Sequence, residues 1–66
     1  MATVVFDREG SSGNVFYILG MAFSSMLREG RREEAKAMSS RVQSADNYDS
    51  ALKIIGEYVN LMEVRK

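Results

Sequence analysis

Residues 3–16, TVVFDREGSSGNVF, decide how this chain is built. Thr3–Asp7 is β-branched and aromatic, with no strong helix former, and predicts a short strand. The next six residues break it with glycine and serine turn chemistry. Asn14 is a good N-cap, and from Val15 onward apolar residues recur at helical spacing. A strand therefore enters a helix through a glycine-rich turn, and two readings of that turn stay open. In the first, backbone N–H groups at a helix N-terminus receive an anion. Ser11, Ser12, Gly13 and Asn14 then line the site, Arg8 and Arg28 supply charge, and Tyr17 offers a flat face. In the second, the segment is only a capped turn. It lacks the Gly-Lys half of G-x-x-x-x-G-K-[ST] and the G-x-G-x-x-G spacing. Asp7 and Glu9 also place negative charge beside the loop.

The helix that follows is predicted to run from Val15 to about Glu29, with Gly30 just past its end. Phe16, Leu19, Phe23 and Leu27 form one apolar stripe, and Val15, Ile18, Ala22 and Met26 an adjoining one. Only Tyr17, Ser24 and Arg28 make a polar side. So wide an apolar arc exceeds what one packing layer needs, so the helix is central or faces a second chain. A second helix is predicted over Arg32–Ala45, with a narrow seam of Ala35, Met38, Val42 and Ala45. Asp46 or Asn47 caps a third, whose stripe is Tyr48, Leu52, Ile55, Val59 and Met62. Gly56 interrupts that stripe, at about 1 kcal/mol relative to alanine, which suggests close approach of another backbone. Leu61–Val64 is either the helix end or a short strand. The fold class is α+β, mainly helical, in a single small domain over residues 1–66. The N-terminal strand must pair with the tail or with another copy of the chain, because a lone strand leaves both edges unpaired.

Composition narrows the function. A chain of 66 residues buries only about 60% of its unfolded surface, and small domains usually add a staple. There is no cysteine and no histidine, so disulfides, thiolate zinc sites and the commonest general base are all excluded. The carboxylates show no calcium-loop spacing, and no metal or cofactor is expected. With 45% apolar residues, self-association is the staple that remains, and a homo-oligomer is expected, with a well-packed monomer as the alternative. Nine basic residues balance nine acidic ones, which argues against general nucleic-acid binding. No stretch is long and apolar enough for a membrane span, no basic leader is present, and a cytoplasmic location is expected. Arg28, Arg31 and Arg32 cluster around Gly30, but Glu29, Glu33 and Glu34 offset them. No activated nucleophile is evident, and the paired carboxylates lie in exposed-looking segments, so catalysis is not expected. Phe16, Phe23, Leu27, Tyr48 and Tyr58 are candidate interface residues, as large apolar or aromatic side chains. Met21, Met26, Met38 and Met62 fill the core or form an adaptable surface.

Residues 4–22, VVFDREGSSGNVFYILGMA, resemble a set of short bacteriophage and prophage proteins. In that set a strand ends in an acidic residue, and a glycine turn leads into Gly-Asn-x-Phe and then Leu-Gly. The matching positions here are Asp7, Gly13, Asn14, Phe16, Leu19, Gly20 and Ala22. Asn47, Tyr48 and Asp49 resemble the start of a later helix in the same set. The chain departs from it in its Arg- and Glu-rich second helix and in the two serines of the loop. The resemblance implies an accessory binding protein that occludes a host defence protein or sequesters a small nucleotide signal. A structural or assembly role without a ligand is the alternative.

Overall fold

The computed structural model describes residues 2–64. The order is β1 (Thr3–Phe6), α1 (Val15–Arg28), α2 (Arg32–Gln43), α3 (Tyr48–Ile55) and β2 (Asn60–Glu63), with a single 3-10 turn over Ser11–Gly13 ahead of α1. This is the mainly helical α+β architecture expected from the sequence. The tail resolves as a strand, and it pairs with β1 within the same chain. The pairing is parallel, with Thr3 opposite Asn60 and Phe6 opposite Glu63. Parallel strands need a long crossover, and all three helices form it. The Asn60 amide donates to Ala2 O at 2.9 Å and the Val64 amide to Phe6 O at 2.8 Å, closing the two ends of the ladder.

Side-chain caps start α1 and α3, and a glycine stops α1. The Asn14 side chain accepts from the Phe16 amide at 2.8 Å, and Asn47 caps α3 by accepting from the Ser50 amide at 2.8 Å. At the end of α1, Gly30 takes φ +75°, a left-handed conformation that glycine adopts without strain. Its amide bonds Leu27 O, and that of Arg31 bonds Met26 O at 2.8 Å, so the last carbonyls of the helix are satisfied.

The core takes one stripe from each helix. Ile18, Ala22 and Met26 of α1 meet Ala35, Met38 and Val42 of α2 and Ala51, Leu52 and Ile55 of α3. Val4 and Phe6 seal it from β1, and Val59 from the turn before β2. Ile18, Met26, Met38, Ile55 and Val59 have lost all solvent contact. Each such side chain contributes roughly 1.5–3 kcal/mol of transfer free energy.

Three expectations are corrected. The second helix stops at Gln43, short of Ala45. The third stops at Ile55, so its apparent stripe crosses two kinds of structure. Val59 is buried from a turn, whereas Met62 lies on β2 and is 57% exposed. Gly56 therefore sits at the end of α3 and is exposed, and its place requires no approach of another backbone. The two α1 stripes also differ in fate. The Ile18 stripe makes the core, while in the other Phe16 and Leu27 stay exposed and Leu19 and Phe23 are half-buried.

Candidate functional site

Several polar groups of the glycine-rich turn are engaged within the chain. The Asp7 amide donates to Ser12 Oγ at 2.9 Å, and the Glu9 amide donates to Asp7 Oδ1 at 3.0 Å. Asn14 is committed to its cap. Gly13 is buried, and its carbonyl accepts from the Tyr48 hydroxyl at 2.5 Å. A Cβ at Gly13 would collide with the carbonyl oxygens of Arg8 and Asp7. That close approach explains the glycine without any phosphate. Ser11 is exposed, and its carbonyl accepts from the Asn14 amide.

Arg8 is engaged as well. It donates to Asp49 at 2.9 Å and to Glu63 at 3.2 Å, and its guanidinium lies 5.2 Å from the centre of the Tyr48 ring. The hydrogen bond to Asp49, followed by that to Glu63, holds its pKa above the ordinary arginine value. Arg8 therefore ties the first turn to α3 and β2. Arg28 lies at the far end of α1, about 20 Å along the helix from Asn14, and donates to Ser25 Oγ at 3.4 Å. One chain thus does not gather Arg28 with the loop, and Tyr17, 46% exposed, points away from the core.

The other arginines act as ties between elements. Arg31 reaches Glu34 at 3.0 Å, Glu29 at 3.3 Å and Tyr58 O at 2.9 Å, pinning the α1–α2 corner to the turn before β2. Arg41 grips Glu57 with two bonds of 2.8 and 3.0 Å and donates to the Tyr58 hydroxyl at 3.1 Å. Its guanidinium also lies over the Tyr58 ring. Hydrogen bonding to these arginines holds the carboxyl groups of Glu34 and Glu57 below their ordinary pKa. Tyr58, expected at an interface, is half-buried against the core. No group of acidic, histidine or cysteine side chains able to hold a metal occurs among the described residues.

What the fold leaves open is apolar. A groove of about 510 Å³ lies between the first turns of α1 and the α2–α3 junction. Val15, Phe16, Leu19, Val42, Ala45, Tyr48 and Ala51 line it, and Gln43 and Asn47 are its polar members. Phe16 stands at its lip with 75% of its surface in water. On the sheet, Val5 and Met62 are register partners, and both are more than half exposed on the side away from the helices. Phe16 and Tyr48 were recognisable in the sequence as interface candidates. Val42 and Ala45 were not, because their periodicity marks them only as core, and Ala51 lies outside the stripe read for its helix; the groove exists where α2 stops short. No helix among the described residues is long and apolar enough to cross a membrane.

No family model, curated protein or solved structure matches the chain.

Proposed function

We propose that this chain is a non-catalytic binding protein that acts by covering a surface of a partner protein. That is one of the two roles its motifs would imply through their resemblance to phage accessory proteins, the other being sequestration of a small nucleotide. The observation that carries the reading is the open apolar groove with Phe16 exposed at its lip. Its lining suits an apolar side chain presented by a partner helix, with Phe16 as the kind of aromatic anchor that dominates binding energy. It does not suit a nucleotide, which needs a cation at the site, because Arg8 is already paired with Asp49 and Glu63 and the groove is lined mainly by apolar side chains. The non-catalytic part is supported by the absence of histidine and cysteine and by the engagement of Glu34 and Glu57 in exposed ion pairs.

Ala45→Arg tests this reading. The new side chain fills the groove while its charge reaches water along the open side. Wild type and variant are immobilised in parallel and exposed to a bacterial lysate, after matched melting curves establish that both are folded. The expected result is a protein retained by wild type and released by the variant, with at least a tenfold weaker dissociation constant once that protein is purified. Identical retention by both contradicts the reading. So does a melting rise of several degrees with a mono-, di- or cyclic nucleotide, which points instead to sequestration.

A further inference from the structure

We propose that the solvent face of α1 pairs with the same face of a second copy of this chain, as an antiparallel helix pair about a two-fold axis. The face carries no charge until its last residue. Val15–Leu27 contains no Asp, Glu, Lys or Arg, whereas the water-facing side of a surface helix is normally charged. Its outward residues are large and uncovered: Phe16 is 75% exposed, Tyr17 46%, Met21 43% and Leu27 41%.

The residues are also arranged to match themselves. At about 100° per residue, Gly20 and Ser24 lie one turn apart along the middle of the face. Phe16 and Leu27 occupy one flank, and Tyr17 and Arg28 the other. A two-fold axis between positions 20 and 24 reverses one helix and brings like flanks together. Phe16 then meets Leu27 of the second copy, Tyr17 meets Arg28, and Gly20 meets Ser24. A Cβ built at Gly20 touches nothing within 4 Å, so the backbone there is open to close approach. Each pair recurs twice, as an isologous contact requires.

Charge fixes the direction. A parallel pair would set the two Arg28 side chains side by side. The antiparallel pair places them about 20 Å apart, well beyond the screening length of about 8 Å at physiological salt. Each guanidinium then lies over a tyrosine face, a cation–π contact. Arg28 is available for this, since among the described residues its hydrogen bond is the long one to Ser25, at 3.4 Å. The opposed helix dipoles favour the same direction.

A 14-residue helix is about 21 Å long. Alone it supplies less than the roughly 800 Å² per partner of a standard interface. The association is accordingly weak, with a dissociation constant on the order of micromolar or above. The pairing shares only Phe16 with the groove and does not depend on the groove having a partner. A dimer that retains no other protein fails the proposed function alone, and a monomer that does retain one fails this inference alone.

Sedimentation equilibrium of the full chain over about 5–500 μM, a range that reaches well above micromolar, is the test. Wild type is expected to rise from its monomer mass of 7.4 kDa toward twice that value. Gly20→Glu is expected to stay at the monomer mass with an undiminished melting temperature, because position 20 has room and glutamate favours helix. Orientation is read by oxidising Gly20→Cys protein mixed with Ser24→Cys protein, in a chain that has no other cysteine. The mixed disulfide is expected to dominate over either self-pairing. A monomer throughout the range, an unaltered dimer in Gly20→Glu, or disulfides between two copies of position 20 forming as readily as the mixed product would each overturn the proposal.

Discussion

Gly13→Ala should be the most damaging single-methyl change in the chain. The added Cβ would overlap two backbone carbonyl oxygens, those of Arg8 and Asp7. Neither can rotate aside as a side chain would, because Asp7 O already accepts from the Gly10 amide at 3.0 Å and fixes the turn. The Gly13 carbonyl is in turn held by Tyr48, so relief of the overlap would pull that bond as well. Overpacking of this kind costs typically 1–3 kcal/mol, and the rigid neighbours place this site at about 3 kcal/mol. For a domain of this size each kcal/mol moves the midpoint by about 4–8 °C, so thermal unfolding followed by circular dichroism should show a drop on the order of 15–20 °C. Gly20→Ala is the control. It meets open space within a helix and should raise the midpoint, by about 0.5–1 kcal/mol of helix propensity. If Gly13→Ala melts within two or so degrees of wild type, the turn is not closed as described and the argument against an anion loop fails with it.

Tyr48→Phe keeps the ring under Arg8 but removes the donor to Gly13 O, and should cost about 0.5–1.5 kcal/mol in urea unfolding with an unchanged m-value. Ile55→Ala empties a site with no solvent contact and should cost about 2–5 kcal/mol, enough to leave much of the chain unfolded at 37 °C. Asn47→Ala removes the α3 cap, and a loss of about 1 kcal/mol is expected by the same measurement. Glu57 has a folded-state pKa below its ordinary value because Arg41 hydrogen-bonds its charged form. Its stabilising effect is therefore complete above the unfolded pKa and is lost as pH falls through the lower folded value. Melting temperatures measured from neutral pH down to about pH 3 should fall less steeply in Glu57→Gln than in wild type.

The first and third helices were legible because they announce themselves locally. Asn14 and Asn47 are caps, Gly30 is a left-handed stop, and Ile18, Ala22 and Met26 share a face. The end of α3 was not legible, since Val59 and Met62 continue its spacing by coincidence. Val59 reaches the core from a turn, and Met62 alternates outward on a strand. Parallel pairing of β1 and β2 was equally hidden, because four-residue strands carry no sign of direction. The site followed the same division. Phe16 was one of five interface candidates, yet which of the two apolar stripes of α1 faces the core depends on where α2 and α3 dock. The polar atoms of the glycine turn looked available in sequence, and only the fold brings the Asp7 amide to Ser12 Oγ and the Tyr48 hydroxyl to Gly13 O.

Methionine oxidation tests most directly whether α1 turns the stripe of Ile18, Ala22 and Met26 inward and the side that carries Met21 to the solvent. Met21 and Met26 lie on the same helix, the first 43% exposed and the second fully buried. Peroxide treatment of dilute protein, followed by peptide mass spectrometry, should oxidise Met21 and Met62 early while Met26 and Met38 stay reduced until the chain unfolds. Equal rates at Met21 and Met26, or protection of Met21 with attack on Met26, would contradict the orientation of the helix and every surface derived from it.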